Sequence, residues 1–464
     1  MSLLVRGMRK SPLSGGALHN MKHAKFIKSA AVMTAGFLVA KAIGAFYRIS
    51  LTGILGGYGI GLYQMAYPLF LLFLTFSSAG IPSALSRVVS AESARGRETT
   101  GHMKTALRLF ALIGLFGALL MCAVAALMSG LQGDENLTVC YLALAPSVFL
   151  VALVSVLRGY FQGKNDMGPT AFSEIVEQAV KAGFGFFAAS IAGDPVHGAA
   201  LALLGVSLSE LGALIYLVKR YKGERRIKSL RRINGYSLFH SVLPVMAAAA
   251  LLPLSRTLDS IVIVRLMARY TGRAVSLYGL YSGGVMSLID LPATLAGGLV
   301  AAAIPLVSAS ASRGDGEGAR RNAALALLFT FALSVPCAVF LFAFASPVVR
   351  LLYASLSESD LKTVVALVRL SSVSAVSLAA VNTLSACLTG MGRAKCAAKG
   401  MLVAVVVKLI LQCVLVSNPA LSVGGAAIAS NVCYLVAFFL DSVYTWKVKL
   451  RTSYFARKLK SKEA

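Results

Sequence analysis

The residues able to do chemistry in this chain sit where charge is expensive, inside long apolar runs, and ionisable groups there are usually functional or paired. Lys41 and Arg48 occupy the first run, seven positions apart and so on one helical face. Arg256 and Asp259 lie in the seventh run, which also holds Pro244 and Pro253. Asp290 precedes Pro292 in the eighth, between the glycine pairs Gly283-Gly284 and Gly297-Gly298. Glu174, Glu177, Gln178 and Lys181 recur at i, i+3, i+4 and i+7 in the fifth, one polar stripe, and Glu210 stands alone in the sixth. Lys41, Arg48 and Arg256 suit an anionic group such as a diphosphate, because charge-assisted hydrogen bonds from Arg favour it. Asp259 and Asp290, and after them Glu174 and Glu177, are candidates for proton or sodium coupling, since a carboxylate beside proline-freed carbonyls can hold a small cation. Each also has a plainer reading. Arg48 is near the outer end of its run and can snorkel, while Arg256 with Asp259, and Glu177 with Lys181, lie within helical pairing distance.

Enzymatic chemistry finds no support. Gly159 to Lys164 has the wrong spacing for a phosphate loop, with Asn165 where Ser or Thr should follow the lysine. His19, His23, His102, His197 and His240 form no HExxH and no hydrolase-like pairing. The seven cysteines show no CxxC spacing and read as small buried apolar residues, with no disulfide framework and no metal site. No catalytic residue and no resident cofactor is expected.

The elements that must position these charges are long helices. A helix needs roughly 20 apolar residues to cross a ~30 Å hydrocarbon core, and twelve stretches qualify: about 26–51, 62–86, 105–130, 137–158, 170–193, 197–218, 236–264, 276–310, 322–347, 361–390, 397–417 and 423–446. Most of the 45 Lys and Arg residues lie in or beside one alternating set of gaps; the other set holds Arg265, Arg269, Arg273, Arg350 and Lys362. This asymmetry predicts a multi-pass protein of a bacterial cytoplasmic membrane with both termini cytoplasmic. The net charge of +27 is then mostly a topology signal. Its basic stretches are short connectors without interleaved aromatics, so no nucleic-acid partner is expected, and the cluster from Lys219 to Arg232 suits anionic lipid headgroups. Ala40-Lys41-Ala42 imitates a signal-peptide cleavage site, but a lysine inside that motif and the odd span count left after cleavage argue for retention. Residues 1–20 read as a disordered leader, with Met21 a second candidate start. Gly56 to Gly61 reads as a flexible turn between the first two runs.

Three landmark pairs recur in the same order in both halves: Gly61-Leu62-Tyr63 with Ser276-Leu277-Tyr278, Ile81-Pro82 with Ile304-Pro305, and Leu157-Arg158-Gly159 with Leu388-Thr389-Gly390. The fold expected is an all-α membrane protein of twelve transmembrane helices in two six-helix bundles, 21–220 and 235–447, related by a parallel internal repeat. A basic linker, 221–234, joins them and a basic tail, 448–464, follows. Parallel repeats place a substrate path between the bundles. The first offset, 215, carries Lys41 onto Arg256 and so predicts two equivalent cations on opposite walls of a central cavity.

Gly61-Leu62-Tyr63-Gln64, Gly80-Ile81-Pro82-Ser83-Ala84-Leu85-Ser86, Arg158-Gly159-Tyr160-Phe161-Gln162-Gly163 and Pro169-Thr170-Ala171 with Glu177-Gln178 resemble the stage V sporulation protein B group. That group belongs to the multidrug/oligosaccharidyl-lipid/polysaccharide exporter superfamily, with its MurJ-like lipid II flippases. The resemblance covers about residues 22–447. It implies a flippase that moves a lipid-linked oligosaccharide, a lipid II-like cell-wall precursor, by alternating access. Its partners would be that substrate, membrane lipids and the cell-wall synthesis machinery. Many lipid-flipping members carry fourteen spans, two more than this chain. The alternatives are an ion-coupled drug or cation antiporter of the same superfamily, for which cavity acids would matter most, and a non-transporting membrane partner in sporulation or division, for which cavity charges would be dispensable.

Overall fold

The computed structural model describes residues 13–95, 99–224 and 235–446, and no strand occurs among them. The expected linker and tail therefore lie almost wholly outside the described residues, as do residues 1–12 of the leader. The helices are α1 (Leu13–Ser78), α2 (Ile81–Ala94), α3 (Thr100–Gln132), α4 (Leu137–Gly163), α5 (Gly168–Ile191), α6 (Pro195–Glu224) and α7 (Gly235–Met267). They continue as α8 (Ala274–Gly279), a π-helical turn over Leu280–Val285, α9 (Met286–Ser312), α10 (Gly316–Ala343), α11 (Ala345–Leu352), α12 (Glu358–Gly390), α13 (Ala394–Leu415) and α14 (Val423–Trp446). Each of the twelve expected runs falls on helix. Nine stretches among the described residues are long and apolar enough to cross a membrane by length and composition, one of them running from Ala42 to Ala94.

The outward faces are apolar, as hydrocarbon requires. Leu112, Phe116 and Leu119 on α3, Leu328, Phe329 and Val339 on α10, and Ile410 and Val414 on α13 are all exposed. Several buried hydroxyls bond back to their own helix: Thr52 donates to the Arg48 carbonyl at 3.1 Å and Thr383 to that of Ala379 at 2.9 Å.

Several boundaries differ from the sequence reading, each for a local reason. Helix α1 starts at Leu13, inside the expected leader, because extending an existing helix adds a hydrogen bond per residue without a new nucleus. Gly56 alone is non-helical in the expected flexible turn (φ 64°, ψ −175°); Gly57 to Gly61 are helical and tightly packed. The second apolar run breaks instead at Gly80, whose φ of 78° is left-handed, with Pro82 in the first turn of α2. The seventh run, despite Pro244 and Pro253, is the single helix α7. The irregularity sits in the eighth, where Gly283 and Gly284 lie in the π-helical turn.

The largest apolar core joins the two halves at one end of the molecule. Tyr47, Tyr63, Met65 and Tyr141 from the first half pack there with Ile263, Tyr278, Tyr281 and Tyr353 from the second. A glycine seam brings the backbones together: a methyl group on Gly61 would collide with the Val275 carbonyl, and one on Gly279 with the backbone of Gly57 and Gly61. Small residues at such a crossing permit close helix approach within a bilayer. Polar contacts fasten the same end. Arg265 donates to the carbonyls of Leu131 and Gly130, the Gln132 amide to Ser260 Oγ at 2.8 Å, and Ser355 Oγ to the Gly53 carbonyl at 2.6 Å.

Candidate functional site

Below the seam the halves diverge around a cavity of about 820 Å³. Its first-half wall is built by α1, α4 and α5, and its second-half wall by α7, α9, α12, α13 and α14. Five of the cations and acids named as site candidates from the sequence line it: Arg48, Arg256, Glu174, Glu177 and Asp290. Lys181 and Arg158 complete the charged lining. The side chain of Lys41 lies outside the described residues, although its neighbour Ala40 lines the cavity. Arg48 and Arg256 come from the two halves, so the cavity is cationic on both walls.

The pairing differs from the helical spacing. Glu177 bonds Arg158 on α4 at 3.0 Å rather than Lys181 on its own helix, and Arg158 also donates to Ser173 Oγ at 2.9 Å. A guanidinium that reaches across from another helix and donates to both Glu177 and Ser173 competes well with a flexible ammonium. Asp290 approaches Arg48 at 3.9 Å, an ion pair that crosses between the halves. Asp259 does not line the cavity; it is paired with Lys408 of α13, both side chains about nine-tenths buried, and not with Arg256. Removing both charges from water demands a close partner, and Lys408 supplies one. Among the described residues Arg256 and Lys181 form no ion pair within 4 Å, so both remain available to an anionic ligand facing the cavity.

Sequence reasoning missed three contributors. Arg158, a landmark of the repeat and of the family resemblance, is a largely buried charge in the cavity wall. Lys408 and Asp441 are intramembrane charges in the eleventh and twelfth runs, visible to the same rule that selected Arg256. The tyrosines were also unremarked: Tyr47, Tyr63, Tyr67 and Tyr434 line the cavity, and the Tyr63 and Tyr67 rings stack at 5.5 Å with an interplanar angle of 13°. Among the described residues no group of three or more His, Cys, Asp or Glu side chains is arranged to hold a metal ion.

Two helical halves closed at one end and parted around a charged cavity define a multi-pass membrane transporter fold. The chain belongs to the family of polysaccharide biosynthesis proteins, whose profile matches residues 26–311. It is similar to stage V sporulation protein B of Bacillus subtilis (strain 168), 28% identical over 91% of this chain and 84% of that protein. It is also similar to the lipid II flippase MurJ of the same organism, at 24% identity over 92% and 85%. In fold it resembles an inward-facing multidrug resistance MATE family transporter of the MOP superfamily, with a TM-score of 0.74 at 15% identity, covering 92% of this chain and 96% of that one.

Proposed function

We propose that this chain is a flippase for a lipid-linked oligosaccharide, with a lipid II-like cell-wall precursor as cargo, in the cytoplasmic membrane of a bacterium. The observation that carries the reading is the pair of arginines, Arg48 and Arg256, presented from opposite halves into one cavity that also holds stacked tyrosines. A diphosphate needs two or more converging cations, and aromatic faces suit the apolar faces of sugar rings. With both termini cytoplasmic by the distribution of basic residues, the seam end faces outward and the cavity receives the headgroup from the cytoplasm. Rocking the halves apart at the seam would then release it outside, while the lipid tail stays in the bilayer. Membrane lipids and the cell-wall synthesis machinery are the partners this reading implies. Lys41 remains a proposed headgroup ligand through its repeat relation to Arg256.

The antiporter reading draws on the cavity acids. Glu177 and Asp290 are already engaged by Arg158 and Arg48, however, which leaves a cationic cargo less to bind. Proton or sodium coupling through Asp290, Glu174 or Glu177 stays part of the proposal, and Asp259 ranks below them because Lys408 neutralises it.

The test is binding and translocation of a fluorescent lipid-linked diphosphate oligosaccharide by protein in liposomes. Arg256→Ala should weaken headgroup binding by roughly tenfold or more, the scale of one charge-assisted hydrogen bond, with expression retained; Lys41→Ala should act likewise and Lys41→Arg more mildly. Normal translocation by the Lys41→Ala/Arg256→Ala double variant would falsify the cavity assignment.

A further inference from the structure

Asp441 lies on the last helix, α14, and is 1% exposed. Its Oδ2 accepts a hydrogen bond from Ser385 Oγ of α12 at 2.6 Å, and its Oδ1 has no hydrogen-bond partner. Room for Oδ1 is made by α13: a Cβ on Gly400 would stand 2.9 Å from that oxygen. Ser385 and Met401, the residue after Gly400, both line the central cavity. The carboxyl therefore sits one layer behind the cavity wall, with a hydroxyl between it and the cavity.

Among the described residues no cation forms an ion pair with Asp441 within 4 Å. On α13, Lys408 is committed to Asp259 of α7, and Lys395 and Lys399 form no ion pair with Asp441 within 4 Å. Arg256 of α7 faces the cavity, and Arg320 of α10 donates to the Trp446 carbonyl at 3.2 Å. The Tyr444 ring of α14 lies against the same face of Gly400, 3.7 Å from where a Cβ would stand. A buried carboxylate without a cation is strongly disfavoured, and the group neutralises by taking a proton. A metal cation is a poor substitute, because Asp441 and Ser385 offer too few oxygens to replace its hydration shell.

We propose that Asp441 is a proton-binding site, held by Ser385, that exchanges protons with water of the central cavity. The carboxylate Oδ1 takes a proton from hydronium in the wetted cavity, forming an O–H bond and leaving water. When the site is next wetted, that bond breaks and the proton returns to water. Ser385 keeps its hydrogen bond to Oδ2 in both states. If the cavity alternates between the two sides of the membrane, proton uptake on one side and release on the other couples turnover to the pH gradient; this coupling step rests on the flippase reading, whereas the protonation does not.

The experiment is infrared titration of the full-length protein in lipid nanodiscs, with transport measured in parallel liposomes. The carbonyl stretch of a protonated carboxyl should grow on acidification, vanish in Asp441→Asn, and persist in Ser385→Ala at a higher frequency, since the hydrogen bond to Oδ2 is gone. Transport driven by an imposed pH gradient should be lost in Asp441→Asn, while binding of the diphosphate headgroup is unchanged. An identical titrating band in Asp441→Asn, or a Ser385→Ala band with unshifted frequency, overturns the proposal. So does pH-gradient-driven transport that survives Asp441→Asn. Wild-type protein that translocates no lipid-linked saccharide defeats the flippase reading and leaves the infrared result to decide Asp441.

Discussion

The first helix of each half is held in opposite ways. Helix α1 packs along α5 of its own half, closely enough that a methyl on Gly36 would press on the Ala171 side chain and one on Gly185 on the Tyr47 ring. Its counterpart α7 packs most extensively on α1 of the other half, with α13 of its own half and α3 of the other contributing about equally, and Leu238, Val242 and Met246 of α7 belong to an apolar core otherwise built from α2, α3, α4 and α6. Among the described residues, the second half away from the seam has small apolar clusters, such as Val381, Ala404, Cys433 and Ala437. What ties α7 to its own half is in large part polar, the Lys408–Asp259 pair to α13. The first half is thus a bundle closed by apolar packing, and the second a looser one with its leading helix shared and pinned by charge.

The contrast is broken most severely at that pin. Lys408→Met should leave the Asp259 carboxylate buried and alone, a loss of about 3–5 kcal/mol in stability, whereas Glu177→Gln in the first half should lose only about 1 kcal/mol. Arg158 there keeps Ser173 and the field of Glu174 and Glu210, and it borders a wet cavity. Thermal unfolding of both variants in the same detergent checks the ranking. Equal losses would mean that the two pairs do the same work. Restoring much of the stability with a Lys408→Met/Asp259→Leu double variant would show that the charge, not the geometry, is the liability.

The same pin shows what was legible in the chain. Helices, their number of apolar runs and the cationic cavity follow from hydropathy and from the cost of charge in hydrocarbon, and Arg48, Arg256, Glu174, Glu177 and Asp290 were found that way. Partners were not legible. Spacing along one helix suggested Arg256 for Asp259 and Lys181 for Glu177, but tertiary packing delivered Lys408 and Arg158, each many residues away in sequence. Pro244 and Pro253 drew attention to α7, while the backbone departs from α-helix at the glycines after α8, where closeness to α1 decides the geometry. The landmark Gly61-Leu62-Tyr63 was read for its repetition; the structure adds that Gly61 packs directly against the segment preceding its partner tripeptide.

That seam provides the second way to sharpen the comparison. Gly61→Ala and Gly279→Ala place a methyl against backbone of the opposite half, so the closed seam is overpacked by roughly 1–3 kcal/mol. Gly36→Ala presses a methyl against Ala171 inside one half. The seam variants should shift the population toward a state parted at the seam, read as increased labelling of a cysteine at Ser276 by an impermeant reagent. Gly36→Ala should lower thermal stability without changing that labelling. Increased labelling by all three would mean that the halves do not move as units.

The smallest effect expected lies at the loop before α6. Asp194 caps this helix: its Oδ1 accepts from the amides of Val196 at 2.8 Å and His197 at 3.0 Å, and its Oδ2 meets the His197 ring. These bonds, the His197 amide foremost, hold the Asp194 carboxyl below its ordinary range. Because the folded-state value is depressed, the cap stabilises above the ordinary aspartate range and is lost as pH falls through the lowered value. Asp194→Asn retains an acceptor oxygen and removes the charge, so at neutral pH it should unfold slightly earlier than the parent, with the difference disappearing on acidification. The effect should be confined to the first half, because α6 packs on α4 and α5 there. Cysteine labelling at the seam should therefore be unchanged in Asp194→Asn. A seam that responds to this remote, exposed cap would overturn the view that the first half is a unit whose loops are uncoupled from opening.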